Sequence, residues 1–403
     1  FRRYAESYGV VALKKLLFFV EHRSSLTKGL QQGIVYRNMA QYERFLADGD
    51  FQEFYWFSYD PDDHAHLERL RNEKPFWKHL HLLTPPRFLT GSVGAAIYSI
   101  IGPFIHWRAF ANADAIKAHQ VSGAWTALLA RWIFRKPFLF RLGYPLSYRF
   151  KTEGKKFRHW LTRRLETALM RNADHAAVTS TQMLDYYHAL APETPIIILP
   201  NYVDTGGFTP VETLDMSRPI LFVGRLAEVK NLENLIRAVA RIGHPLHIYG
   251  GGPIEDRLRQ LAAELGADVE FKGFVANTDL MKIHHEHSLY ILCSTREGLP
   301  KTLVEAMASG LICVGTPAEG IQELIKDNET GYLIDGFDAD AIEARLRWVL
   351  ENFDPAIARA AVDFIHRTHS LDYAVELERE IFEKIMPPAN EAAGKPAATT
   401  AVS

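Results

Sequence analysis

Two glutamates, Glu297 and Glu305, flank a segment suited to holding an anion. They lie in SLYILCSTREGLPKTLVEAMASG, residues 288–310. Leu289 to Cys293 is a short apolar run of strand type, and Thr302 to Ala308 has the pattern of a helix. Gly298 lets the turn between them bend tightly. Pro300 suits the first helical position, where its missing N–H costs nothing. The product is a free helix N-terminus, whose unpaired N–H donors and partial positive charge suit a phosphate. Glu305 falls roughly 7 Å along the helix at about 1.5 Å per residue. A nucleotide sugar runs in the matching order of sugar, diphosphate and ribose. With the diphosphate at the helix N-terminus, Glu297 reaches the sugar hydroxyls and Glu305 the ribose hydroxyls. The alternative is a solvated loop carboxylate at Glu297 and a helix-surface charge at Glu305.

Further groups of the same chemistry precede this segment. The run PILFVG, starting at Pro219, reads as a strand, and Arg225 and Lys230 follow its carboxyl end just before a helix. That is where cations grip phosphate. Strand LHIYG leads into Gly250-Gly251-Gly252-Pro253, whose glycines allow close backbone approach to a ligand. In the first half, Asp114 to Gln120 reads as a strand ending in His119-Gln120, so His119 stands where ligands of parallel sheets bind, with a structural histidine as the alternative. Asp60-Pro61-Asp62-Asp63 looks like the Asp-x-Asp of metal-dependent sugar transferases, but Pro61 between two aspartates reads more simply as a turn.

Strands alternating with helices argue for an α/β chain with parallel sheets. The first half carries strands at Val10–Val20, Phe54–Tyr59, Asp114–Gln120, Pro137–Leu142, His175–Thr179 and Pro195–Pro200. Helices follow at Ser122–Phe134 and Leu161–Asn172. A polar stretch up to Arg218 marks the boundary to a second α/β half, which ends in helices at Ala339–Phe353, Pro355–Thr368 and Leu371–Ile385. The tail from Pro387 is of low complexity and expected to be disordered. Gly91 to Trp107 is uncharged and apolar but contains Gly94, Gly102 and Pro103. It is short for a membrane span of about 20 residues; it reads as a buried or interfacial helix broken near Gly102-Pro103.

The 403 residues suggest two to three domains, and 47% hydrophobic with 23% charged residues is ordinary for a soluble globular protein. A net charge of −2 gives no whole-protein attraction to nucleic acid. The two cysteines, Cys293 and Cys313, sit in apolar runs and read as buried thiols in a reducing compartment. The start has no signal-peptide pattern, and a cytoplasmic location is expected. Charge is nevertheless uneven. Arg131 to Arg171 holds twelve Lys and Arg against two Glu, with Trp132, Phe157, Trp160 and other aromatics interleaved. Such a mixture suits an anionic membrane surface at the inner face of the cytoplasmic membrane, a nucleic acid, or a solvated face over a core.

The second half resembles the donor domain of GT-B glycosyltransferases, specifically the retaining family 4. The matching pieces are PNYVDTGGF at 200–208, FVGRLAEVKN at 222–231, YGGGP at 249–253, FKGFV at 271–275, EGLPKTLVE at 297–305 and TGYLI at 330–334. The first half is similar only in strand order and in HQVSGAW and RLGY; where many members carry a Gly-Gly pair after the first strand, this chain has isolated Gly29 and Gly33.

The resemblance implies two Rossmann-like domains facing across a cleft, at 1–205 and 206–370, a last helix at 371–386 crossing back to the first domain, and a tail at 387–403. It implies a UDP- or GDP-sugar co-substrate, retention at the anomeric carbon, and no required metal or other cofactor. By motif, Arg225 and Lys230 bind the diphosphate, Glu297 orients the transferred sugar, Glu305 the ribose, and His119 is the catalytic histidine. Gly224, Gly251, Val275, Gly298, Leu299, Pro300 and Lys301 complete the donor contacts. The implied acceptor is a glycan or lipid-linked sugar. Two other readings are a metal-dependent transferase using Asp60 and Asp62, and a non-catalytic sugar-nucleotide-binding module.

Overall fold

A computed structural model of the chain describes residues 14–20, 25–31, 35–89 and 91–386. The expected strand residues 10–13, part of the turn that follows, Gly33, and the 387–403 tail lie outside the described residues. Two wholly parallel sheets form two domains. The first holds β1 (Lys15–Phe19), β2 (Glu53–Phe57), β3 (Leu80–Leu83), β4 (Ala115–His119), β5 (Phe138–Leu142), β6 (His175–Val178) and β7 (Ile196–Ile198), in the order β3-β2-β1-β4-β5-β6-β7. The second holds β8 (Ile220–Val223), β9 (Leu246–Tyr249), β10 (Val269–Gly273), β11 (Leu289–Leu292), β12 (Ile312–Gly315) and β13 (Tyr332–Leu333), in the order β10-β9-β8-β11-β12-β13.

Both faces of each sheet are covered by helices, so the strands are apolar runs without alternation. In β1, Leu16 and Phe18 enter one core of the first domain while Leu17 and Phe19 enter the other. Each sheet has one switch point, where the strand order reverses: β1/β4 in the first and β8/β11 in the second. Ligands of such sheets bind beyond the carboxyl ends of the strands at that point.

The chain crosses between domains twice, and the crossings lie side by side. Val203 N–H donates to His369 O and Leu371 N–H to Val203 O, both at 2.9 Å. The last helix, Leu371–Ile385, then packs on the first domain, with Ala374, Val375, Ile381 and Phe382 in its core. Two polar contacts lock it there. Arg379 reaches Asp50 at 2.9 Å and Asp48 at 2.7 Å. Lys117, inside β4, donates to Glu378 at 2.5 Å and to Gln41 Oε1 at 3.1 Å. Lys117 and Glu378 are both fully buried, and burial, only partly offset by Glu378, pulls the Lys117 ammonium down to about 8.

Three expectations are corrected. The strand β3 carries no signal strong enough to be read in advance; it is four residues, LHLL, between a short 3-10 turn and a proline-rich loop. The helix Gly91–Ile105 runs through Pro103 instead of breaking there. Gly102 lets that turn press on the Phe57 ring, where a Cβ would sit 2.5 Å from Cζ, and the end comes at His106, whose Nε2 is tied to the Tyr98 hydroxyl at 2.9 Å and Thr84 O at 3.1 Å. The basic helix expected from Leu161 starts earlier and spans Lys156–Asn172. Cys293 and Cys313 are buried free thiols, as read from their apolar runs.

Removing one member of a buried ion pair strands the other charge, at about 3–5 kcal/mol. Glu378→Leu is therefore expected to lower unfolding free energy by that amount in urea titration, whereas Lys117→Met with Glu378→Leu should recover most of it. Equal destabilisation by the single and double variants would refute the pairing as the cause.

Candidate active site

The two switch points face one another, and the residues singled out in the sequence lie at them. His119 ends β4. Gly224 and Arg225 follow β8, and Lys230 closes the 3-10 turn Glu228–Lys230. Glu297 to Pro300 follow β11, and the helix Lys301–Ala308 starts one residue before the Thr302–Ala308 read from the sequence. Pro300 is its N-cap rather than its first helical residue and supplies no capping side chain; Leu303 and Val304 N–H donate to Pro300 O at 3.2 Å, which leaves the N–H groups of Lys301 and Thr302 for an anion.

The glycine cluster works differently from its sequence reading. Gly250 has φ +131, and a Cβ there would lie 1.9 Å from Gly224 O; one on Gly252 would lie 2.0 Å from Leu226 O. These two glycines fit the loop after β9 against the loop after β8, protein on protein. Gly251 is open, with Glu255 Oε2 at 3.9 Å as its only near atom. Gly320, beside the motif rather than in it, is required as well: a Cβ would fall 1.2 Å from Gly298 O. A Cβ on Gly298 would lie 3.6 Å from Gly143 O of the first domain, and Leu299 O accepts from Asn201 Nδ2 at 2.6 Å.

Glu305 is buried, not the helix-surface charge of the alternative reading. Its Oε1 accepts from Asn277 Nδ2 at 3.1 Å and from Arg37 Nη1 at 3.2 Å. Arg37 comes from the first-domain helix Val35–Ala47, so this ion pair spans the cleft. The other oxygen, Oε2, is buried without a partner, beside a cavity of about 260 Å³ also lined by Tyr36, Arg37, Asp204 and Asn277. A ligand hydroxyl is the kind of donor it lacks. Val275 is in the loop after β10, two residues before Asn277. Glu297 and Lys230, given separate tasks by the sequence reading, touch: Lys230 Nζ and Ser294 Oγ both donate to Glu297 Oε1 at 2.5 Å. Arg225 is exposed and in no ion pair among the described residues.

Across the cleft lies a larger cavity of about 360 Å³, lined by His119, Tyr42, Arg141, Asn201 and Lys301 among others. Its described lining includes Lys28, Arg37, Arg141 and Lys301 and no Asp or Glu. His119 Nε2 lies 2.9 Å from the Tyr42 hydroxyl. Burial, then the charges of Lys117, Arg141 and Lys301, hold the imidazole well below its ordinary value, so it is neutral at physiological pH. Gln120, directly after it, has φ 62, an uncommon conformation for a non-glycine residue at a site. Arg141 donates to Pro200 O at 3.1 Å and keeps its buried Nε without a partner. Lys301 is pulled down to about 7 by burial and then by Arg37 and Arg141, against the opposing pull of Glu305. Sequence reasoning missed Arg37, which no motif marks; Arg141 stood in the RLGY segment without a role assigned.

The Asp60-Pro61-Asp62 segment is a turn. Asp60 Oδ1 accepts from Asp62 N–H at 3.1 Å. The buried carboxylate is its neighbour Asp63, which accepts from Leu26 N–H, Thr27 N–H and Ser58 Oγ. Among the described residues no three His, Cys, Asp or Glu side chains gather as a metal site.

Lys301 gives a pH-dependent expectation. Its folded value near 7 lies below that of a free lysine, so at pH 8 it is mostly neutral. An anion beside it favours the charged form, so binding takes up a proton. The affinity for a nucleoside diphosphate should fall as pH rises from 7 to 9, by at most about tenfold per unit. Calorimetry in buffers of different ionisation enthalpy should find this uptake in the wild type and not in Lys301→Met. Identical uptake by both would remove Lys301 from the anion site.

The geometry has counterparts among known proteins. A model described as glycosyl transferases group 1 matches residues 192–361, and one described as a glycosyl transferase 4-like domain matches residues 55–202. A lipopolysaccharide core biosynthesis glycosyltransferase of Rhizobium meliloti is 27% identical over 45% of this chain and 55% of its own length. A GDP-mannose-dependent α-(1-6)-phosphatidylinositol monomannoside mannosyltransferase of Mycobacterium tuberculosis is 30% identical over 46% of this chain and 54% of its own. The chain thus spans about half the length of the curated relatives it matches. Solved structures align along nearly the whole chain. Sucrose-phosphate synthase from Thermosynechococcus elongatus has a TM-score of 0.71 at 17% identity, covering 92% of this chain and 98% of that one. HepE of Anabaena, solved with UDP and glucose, has a TM-score of 0.70 at 19% identity, covering 92% and 100%. These structural likenesses establish the GT-B fold. With two family models meeting at the first crossing between the domains, the chain belongs to the group 1, GT4-like glycosyl transferases.

Proposed function

We propose that the protein is a retaining hexosyltransferase that moves a sugar from a UDP- or GDP-sugar to a glycan or lipid-linked acceptor, in cell-surface polysaccharide or glycolipid synthesis at the inner face of the cytoplasmic membrane. The observation that carries this is the buried, unpartnered Glu305 Oε2 beside the uncapped helix N-terminus, opposite a cavity whose described lining has cations and no carboxylate. Glu305 takes the ribose, and the helix N-terminus with Arg225 and Lys230 takes the diphosphate. Glu297, now paired with Lys230, turns to the sugar as phosphate replaces it. The relatives' names fit both nucleotide classes, GDP-mannose in one and UDP with glucose in another.

In the reaction the bond from the anomeric carbon to the diphosphate oxygen breaks, and one to the acceptor oxygen forms on the same face. The acceptor proton goes to the departing diphosphate. Charge grows on that leaving group, and fixed cations around it stabilise the transition state more than the bound donor. The described lining of the larger cavity offers no Asp or Glu as a nucleophile, which favours this front-face route. His119, neutral, orients the sugar by hydrogen bonding. Use of Asp60 in a turn weighs against the metal-dependent reading.

The test is turnover of labelled UDP- and GDP-sugars, with and without EDTA, with the anomeric configuration of the product read by NMR. Retention and EDTA resistance are expected; inversion or complete loss with EDTA would overturn the mechanism, and binding without turnover would leave a sugar-nucleotide-binding module. Lys230→Ala should lower kcat/KM about tenfold to a hundredfold, the value of a charged hydrogen bond of about 1.5–3 kcal/mol. Glu305→Gln should weaken free nucleoside diphosphate, whereas Glu297→Gln should lower kcat and leave that affinity nearly unchanged. The reverse pattern in calorimetry would exchange or cancel the two assignments.

A further inference from the structure

The helix Gly91–Ile105 is held to the first domain by its small face. Gly94, Ala95, Tyr98, Ser99 and Gly102 are buried; Tyr98 stacks on Phe57 at 4.6 Å and its hydroxyl donates to Leu83 O at 2.8 Å. The bulky residues point away. Val93 is 74% exposed, Ile100 53% and Phe104 54%, with Ile97 and Ile101 also exposed. Their spacing places them on one side of a helix. Trp107, stacked on Phe104, extends the strip, and Phe88 before the helix is exposed as well. Monomeric soluble proteins rarely leave such a continuous apolar strip in water without a use for it.

The neighbouring surface is basic. The helix Gly91–Ile105 packs on Val121–Phe134, which packs on Lys156–Asn172. Trp107 lies 4.6 Å from the Phe134 ring, and Trp132 Nε1 donates to Asn172 Oδ1 at 2.9 Å, so the layer is continuous. The last of these helices exposes Lys156, Arg158, Arg163, Arg164 and Arg171, with Phe157 and Trp160 between them.

We propose that the exposed aliphatic strip of Gly91–Ile105 embeds in the interface of an anionic bilayer, with the basic helix Lys156–Asn172 on the headgroups beside it. A surface helix with one apolar side, aromatic residues at its border and adjoining cations has the chemistry of interfacial binding. It lies in the plane: 15 residues extend only about 22 Å against a hydrocarbon core of about 30 Å, and no helix among the described residues is long and apolar enough to cross. A second copy of the chain is disfavoured as occupant, because mating two such faces would crowd the basic helices together. The strip begins just after β3, on the carboxyl edge of the sheet where the cleft opens. Embedding it there brings the cleft to a lipid-linked acceptor; this part rests on the proposed function.

Basic residues alone give binding that salt removes; an embedded strip leaves a salt-resistant part. The test is co-sedimentation of the full chain with vesicles of equimolar phosphatidylglycerol and phosphatidylcholine, at low and high salt. The wild type should bind at low salt and keep a measurable fraction at high salt. Ile97→Gln/Ile100→Gln/Phe104→Gln should lose the salt-resistant fraction and bind about tenfold more weakly at low salt. Lys156→Ser/Arg163→Ser/Arg164→Ser should lose only the salt-sensitive part. Circular dichroism and nucleoside diphosphate affinity identical to wild type verify that the first variant is folded. Absence of wild-type binding, equal binding by the apolar variant, or a wild-type dimer that this variant disperses would each overturn the proposal. Donor hydrolysis without vesicles separates the two claims: hydrolysis without vesicle binding sinks only this inference, and vesicle binding without hydrolysis sinks only the proposed function.

Discussion

Lys117 and Glu378 meet in the core of the first domain, and the geometry of the cleft depends on that contact. Lys117 sits in the same strand as His119, two residues before it. Glu378 belongs to the last helix, which has just returned from the second domain. A charge buried without its partner is far less stable than the pair, so the returning helix has essentially one seat. With Arg379 on Asp50 and the paired crossings at Val203 and His369–Leu371, the two sheets are held with their carboxyl edges facing.

That arrangement concentrates positive charge. Arg37, Arg141, Lys301 and Lys230 approach the cleft from both domains, and three of these charges are met in different ways. Lys230 borrows Glu297, Arg37 borrows Glu305, and Lys301 is pulled toward neutrality. On the proposed function, a diphosphate would take the place of Glu297 on Lys230, favour the charged form of Lys301 and free Glu297 for hydroxyl groups.

The two domains differ in how tightly their loops are specified. In the second, Gly250, Gly252 and Gly320 press backbone on backbone, and any side chain at those points would collide. These loops are thereby packed directly on one another, backbone to backbone. The first domain instead carries an apolar strip, a basic helix, and a cavity whose described lining has cations without carboxylates.

Much of the second domain was legible in the chain itself. The local grammar of strand, glycine turn, proline and helix is written in contiguous residues, so the site of Arg225, Lys230 and Glu297 to Glu305 follows from short-range rules. The same holds for the double-sided strands, the Asp60–Asp62 turn and the buried cysteines. What sequence did not determine lies in contacts between distant segments. Nothing near Arg37 reveals that it will reach Glu305, 268 residues on; nothing in YGGGP tells whether its glycines admit a ligand or a neighbouring loop. The apolar run at Gly91–Trp107 has the same composition whether its bulky side faces core or solvent, and only the seat of Tyr98 on Phe57 turns the isoleucines outward. The path of Gly91–Ile105 through Pro103 belongs here too, since Gly102 is packed by Phe57 from another strand. Local propensities act within a few residues and select elements; burial, charge pairing and close approach act between elements that the chain keeps far apart, and they exist only once it has folded.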